Sequence, residues 1–165
     1  MMNGEHGFLD PRLAYLFDYW RKKRGDRPAA SRTDLMPSEI KPFLPIMNLV
    51  DVQRDPLQFR HRLVGTEIVE AVGRDVTGRL ISPQLYGDDY EEILEGLRIV
   101  AEEVRPFHRL KRPRWVSRDW LSLESIELPL IDSSGEVNMI LRAMSLFADP
   151  QSASRERYLA WELAA

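Results

Sequence analysis

No cysteine occurs anywhere in the chain, and only three histidines do. The first absence excludes disulfides, thiolate nucleophiles, thiolate metal sites, iron–sulfur clusters and flavin–cysteine photochemistry. The second leaves His6, His61 and His108 as the whole imidazole supply, none at the spacing of a helical metal pair, so no zinc site is expected. An excess of one charge is lacking too: the formal net charge is −3, which gives no global pull toward phosphate backbones or anionic lipid. There is no apolar run of about eighteen residues, the length a membrane-spanning helix needs. The stretch from Met1 to Gly7 lacks the basic start and apolar run of a secretory signal, so a cytoplasmic location is expected.

What is present is an ordinary globular composition, 44% hydrophobic and 30% charged over 165 residues, enough for one domain with a real core. Asp10-Pro11 reads as a helix start, because Asp accepts from free first-turn amides and Pro has no amide to leave unpaired. Leu9, Leu13, Leu16, Phe17 and Trp20 follow at spacings of three and four, and Arg21-Lys22-Lys23-Arg24-Gly25 stops the helix. Residues 1–25 are therefore an N-terminal amphipathic helix. Residues 26–45 are a proline-rich connection with at most one short helix, near Pro37 to Ile40.

A core is expected over 46–148. Ile46 to Gln53 and Leu57 to Val64 read as two strands around Arg54-Asp55-Pro56, with Leu57, Phe59, His61 and Leu63 on one face of the second. Gly65 to Val72 reads as a short helix, and Gly73 to Ile81 as a turn with a short strand. A longer helix carries Tyr90, Ile93, Leu94, Leu97, Val100, Ala101 and Val104 at helical period. Strands are expected at Phe107 to Lys111, Trp115 to Leu130 and Glu136 to Phe147, the last two joined by Asp132-Ser133-Ser134-Gly135, whose residues supply turn geometry. The remainder, 149–165, is a C-terminal tail in which Ser154 to Leu163 is read as one last helix. Two strands, a helical middle and three strands give an α+β chain with a mainly antiparallel sheet.

That element order resembles the PAS domain. More narrowly, Arg60-His61-Arg62-Leu63-Val64-Gly65-Thr66, Gly73-Arg74-Asp75-Val76-Thr77-Gly78 and the Leu128 to Gly135 turn are similar to a proteobacterial single-domain PAS family formerly classed as a domain of unknown function. The resemblance spans roughly residues 10 to 147. It implies a five-stranded antiparallel sheet with helices on one face, enclosing a small ligand, and signal passed through helices outside the core. The kinase or cyclase outputs usual beside PAS domains are not in this chain, so output to another polypeptide is implied.

The motifs carry little chemistry of their own. Gly73 to Gly78 has the glycines of a phosphate loop, but Arg79-Leu80 stands where Lys and a hydroxyl are needed, so the glycines are read as turn residues. There is no Gly-x-Ser-x-Gly turn to expose a nucleophile. Asp88, Asp89, Glu91 and Glu92 are read as capping charges at a helix start. His61, between Phe59 and Leu63, is read first as a hydrogen-bonded core residue, and otherwise as a cavity or axial haem ligand.

The sequence therefore points to a non-catalytic sensory or regulatory module, with no cofactor assigned. Phe59, His61, Tyr90, Leu94 and Trp120 are its candidate ligand-lining residues. Leu13, Leu16, Phe17 and Trp20 are read either as core or as a surface for a homodimer or a partner signalling protein. Two alternatives stand beside it. One is a small-molecule enzyme with His61 or His108 as base. The other is nucleic-acid binding through Arg105, Arg109, Lys111, Arg112, Arg114 and Arg118, set among Phe107, Trp115 and Trp120. A solvated strand pair, balanced by the preceding helix's glutamates, is preferred to the second.

Overall fold

The computed structural model describes residues 7–116 and 120–148 in full, and the backbone of 159–162. The first helix, α1 (Pro11–Arg24), begins and ends where its signals lie: the Asp10 side chain accepts from Arg12 N, and Gly25 forms the C-cap. The proline-rich connection holds α2 (Pro37–Ile40) and two 3-10 turns, Arg32–Asp34 and Lys41–Ile46. It also runs beside the sheet, where Ala30 O accepts from Ile131 N at 2.9 Å.

Strands β1 (Met47–Gln53) and β2 (Gln58–Val64) form the first hairpin. Three helices follow: α3 (Thr66–Val72), α4 (Pro83–Tyr86) and α5 (Tyr90–Glu103), with a 3-10 turn, Gly87–Asp89, before the last. The expected short strand before α4 is only an isolated bridge between Arg60 and Leu80. Strands β3 (Phe107–Lys111), β4 (Leu121–Ile131) and β5 (Val137–Ala148) complete the five-stranded PAS-like sheet, and every pairing is antiparallel. A sixth strand, β6 (Leu159–Glu162), pairs with β3, giving the order β2-β1-β5-β4-β3-β6. This corrects the C-terminal helix expected at 154–163. Residues 159–162 meet the open backbone edge of β3 and pair with it, and 154–158 and 163 lie outside the described residues.

The alternation expected for β2 holds only as far as His61. The register slips between Leu49/Val50 opposite it, so that Val50 faces His61 while Leu49 faces Leu63. A bulge of this kind reverses the side-chain phase beyond it. Phe59 and His61 are buried, but Leu63 turns outward, 40% exposed.

Both faces of the sheet are covered. One carries α3, α4 and α5 above Val50, His61, Ile140, Arg142 and Glu127. The other carries α1, whose N-terminal amides at Leu9 and Asp10 donate to the Glu124 carboxylate at 2.8 and 3.0 Å. All eleven residues of β4 are consequently buried. Leu13, Leu16, Phe17 and Trp20 are each 0% exposed, and Trp20 Nε1 donates to Pro129 O at 2.8 Å. The reading of this stripe as a dimer or partner surface is thereby corrected, because the second sheet face supplies its apolar partner.

Candidate functional site

On the face covered by α3, α4 and α5, a small cavity of about 20 Å³ is lined by Asn48, His61, Val64, Ile68, Val72, Arg74, Val76, Tyr86, Trp115 and Met144. That is room for about one water molecule. His61 arrives from the straight part of β2 and Asn48 from its partner strand β1. Tyr86 closes α4, the turn that starts at Ser82-Pro83.

These polar groups form a connected chain. His61 Nδ1 lies 3.2 Å from Asn48 Oδ1, and Nε2 lies 2.6 Å from the Tyr86 hydroxyl. An imidazole that donates from Nδ1 to the amide oxygen accepts at Nε2 from the phenol, which is the neutral tautomer. The charges of Arg142 and Arg74 act on the Tyr86 hydroxyl. Burial, reinforced by the cations of Arg142 and Arg74, pushes the His61 pKa from its ordinary 6.5 down to about 3. Burial also raises the Tyr86 pKa, against the opposing pull of the same two arginines. Trp115 meets the Tyr86 ring edge-on, with centroids 5.1 Å apart.

Behind the cavity is a buried ionic cluster. Glu127 on β4 is fully buried and accepts from Arg109 Nε at 2.8 Å, with Arg142 Nε at 3.4 Å. Asp89, also fully buried, accepts from Arg114 N and Nε, each at 2.7 Å, and lies 3.2 Å from Lys111 Nζ. Burial works to raise its pKa, but the Arg114 amide and guanidinium and the Lys111 ammonium outweigh it and hold the carboxyl below the usual range. Glu92 takes the other side of Lys111 at 2.8 Å. Asp89 stands at the N-cap of α5 but makes no side-chain cap there; its carboxylate instead anchors the segment entering the cavity wall.

The same contacts relocate the basic segment. Arg109 and Lys111 point inward and pair with Glu127, Asp89 and Glu92, and Arg114 pairs with Asp89, so these cations form no open strip. The solvated strand pair expected there is likewise replaced by buried cations. Arg118 lies outside the described residues, as does His6.

Of the expected cavity residues, His61 lines the pocket and Phe59 is buried in the adjoining core. Tyr90 and Leu94 are half-buried on α5, packed against that core and outside the pocket lining. Trp120 is 53% exposed, a correction with a simple cause: β4 starts at Leu121, so Trp120 lies outside the strand, and Trp115 takes the inward place. His108 faces the opposite side of the sheet, with its ring 4.4 Å from that of Phe8 and its Nε2 3.8 Å from Glu124. It shares no pocket with His61. Asn48, Arg74, Tyr86 and Met144 also line the site without having been expected there, and Trp115 joins them from the basic segment.

Among the described residues no cluster of His, Asp or Glu is placed to hold a metal ion, and no helix is long and apolar enough to cross a membrane. No curated protein matches the chain. Among solved structures, the chain is similar to a light-oxygen-voltage domain studied with a flavin analogue, at 15% identity and a TM-score of 0.51 over 71% of this chain and 87% of that one. It is also similar to a sensory box sensor histidine kinase from Vibrio cholerae, at 14% identity and 0.48 over 71% and 93%. A third similarity is to a sensory box histidine kinase/response regulator from Burkholderia thailandensis, at 16% identity and 0.46 over 72% and 90%. The model of the family described as PAS domain matches residues 10–145, and the sheet order and flanking helices agree with it: the chain belongs to the PAS domain family.

Proposed function

We propose that this chain is a non-catalytic sensory or regulatory module that binds a small ligand in the His61 pocket and reports to a partner protein in trans. The observation that carries this reading is the polar chain Asn48–His61–Tyr86, flanked by the Arg74 guanidinium and enclosed on the sheet face by apolar side chains. Buried polar networks are costly unless fully connected, so a network at a cavity wall is a natural place for ligand recognition. A ligand must displace Trp115 or shift α3 to enter about 20 Å³, and this links occupancy to the position of surface elements. A ligand with different affinity for the closed and opened arrangements shifts their populations, with no bond made or broken.

The enzymatic alternative is weaker on chemistry. A general base works best with a pKa near the working pH, and His61 is held down at about 3. Flavin–cysteine photochemistry is closed to a chain with no cysteine. The inward pairing of Arg109, Lys111 and Arg114 weakens the nucleic-acid alternative.

The test is native mass spectrometry and a visible absorption spectrum of the full chain, followed by a thermal-shift metabolite screen. Retained mass, a chromophore or saturable stabilisation, lost in Tyr86→Phe or Trp115→Ala, is expected. A screen without binding or stabilisation would remove the ligand half and leave partner binding, which a pull-down from the native cell addresses.

A further inference from the structure

The pocket lining holds a cation and no carboxylate among the described residues. Arg74 lines the cavity, and its guanidinium donates to the Leu85 carbonyl, a neutral acceptor. Among the described residues no carboxylate pairs with Arg74. The neighbouring Asp75 is committed to its own turn, where it accepts from Thr77 N at 2.9 Å and Thr77 Oγ1 at 2.6 Å. Behind the wall, the Glu127 carboxylate lies against both Arg109 and Arg142. Glu124 lies across the sheet, against the Leu9 and Asp10 amides. The deeper ionic cluster sets Lys111 and Arg114 against Asp89 and Glu92. Among the described residues, the pocket lining therefore carries one guanidinium, Arg74, and no carboxylate, and its imidazole is neutral.

The lining also has an apolar side, formed by Val64, Ile68, Val72, Val76, Trp115 and Met144. A small inorganic ion would leave those surfaces without a partner, whereas a purely apolar guest would leave the Arg74 charge unanswered.

Building on the pocket reading above, we propose that the ligand is a small organic carboxylate. Its anionic head meets Arg74 and the Tyr86–His61–Asn48 chain, and its apolar body lies under Trp115. A guanidinium binds a planar carboxylate through paired N–H donors, and a charge-assisted bond in a dry pocket is stronger than a neutral one. Burial is the main cause of the depressed basicity of His61, and the charges of Arg142 and Arg74 add to it.

The experiment titrates the full-length protein with benzoate and hexanoate, and with the neutral isosteres benzamide and hexanamide, by calorimetry and by NMR of the His61 ring and the Trp115 indole. Inorganic phosphate is a further arm. Acids binding about ten-fold or more tighter than their amides is the expected result. Arg74→Gln should weaken the acids by about the same factor while leaving the amides unchanged, and Arg74→Lys should retain most of the acid affinity. Thermal melts of both variants verify folding, and the lysine variant keeps the test alive should the glutamine variant fail to fold. In saturating benzoate the His61 pKa should move upward, because an anion beside an imidazole favours its charged form.

Amides that bind as tightly as acids, or an Arg74→Gln variant that binds acids undiminished, would overturn the anion assignment and leave the pocket reading standing. Phosphate binding without carboxylate binding would also overturn it. No binding by any of these probes, with the His61 and Trp115 signals unmoved, would overturn the carboxylate assignment. If the metabolite screen were empty as well, the pocket reading would fall with it.

Discussion

Gly96 on α5 leaves the space that the Arg109 guanidinium occupies: a Cβ placed on Gly96 would lie 1.4 Å from Arg109 Nη2. A glycine inside a helix costs about 1 kcal/mol relative to alanine. The helix accepts that cost here, and in return the arginine on β3 reaches Glu127 beneath it.

Gly96→Ala should therefore destabilise the protein by about 1–3 kcal/mol despite the better helix former, because the buried guanidinium must leave its place beside Glu127. Urea unfolding measures this. In the double variant with Arg109→Met the penalty should shrink, with a coupling of about 1 kcal/mol or more. Additive effects would show that the two residues do not meet.

The neutral state of His61 sets a pH dependence. The unfolded chain takes up a proton near 6.5, while the folded chain does so only at about 3. Between those values the unfolded state binds more protons, so stability is full above 6.5, falls as pH drops below it, and levels off near 3. At about pH 5 the loss is about 2 kcal/mol relative to neutral pH. Urea unfolding across this window should show the slope, and His61→Gln should flatten it. An imidazole that titrated by NMR near its ordinary value would contradict the buried, arginine-flanked setting.

Asp89→Asn should loosen the segment that places Trp115. Arg114 is half exposed, which limits the strength of its ion pair, so a loss of about 1–3 kcal/mol is expected. The more telling result is local: amide exchange should rise over 112–116 ahead of the rest of the sheet. Uniform exchange across the molecule would show that Asp89 is no anchor for this segment.

Phe17→Ala on α1 should cost about 3–5 kcal/mol, as for a large side chain removed from a core. Trp20→Phe should cost about 1–2 kcal/mol, by leaving Pro129 O without its donor. Analytical ultracentrifugation of both variants should give the same association state as the parent chain. A change of association state without a loss of stability would return the stripe to an exterior role.

The elements with local punctuation were legible in the sequence. Asp10-Pro11 and Gly25 bound α1, the apolar period marks α5, and β3 lies where the residues after Pro106 place it. What covers the α1 stripe was not, because periodicity shows that a face is apolar without showing what lies on it. Leu63 could not be placed, since the register slip that turns it outward depends on the partner strand. Tyr86 sits on a four-residue helix and β6 has four residues, too short for either to carry a period. His61 was found because alternation holds over its half of β2. Arg74, hidden in a glycine-rich turn, acquires its meaning only when the fold brings it beside His61 and Tyr86.

The pairing of β6 with β3 has a bearing on how this molecule meets others. Ten residues separate Ala148 from Leu159, so β6 is tethered to the edge it occupies. A strand of the same chain pairs intramolecularly, so its hold on the edge does not depend on protein concentration. A strand offered in trans, from another protein or from a second copy, must outcompete that resident segment before it can add to the sheet at β3. The edge is guarded by competition, and the tail's own four-residue grip sets the threshold for exchange.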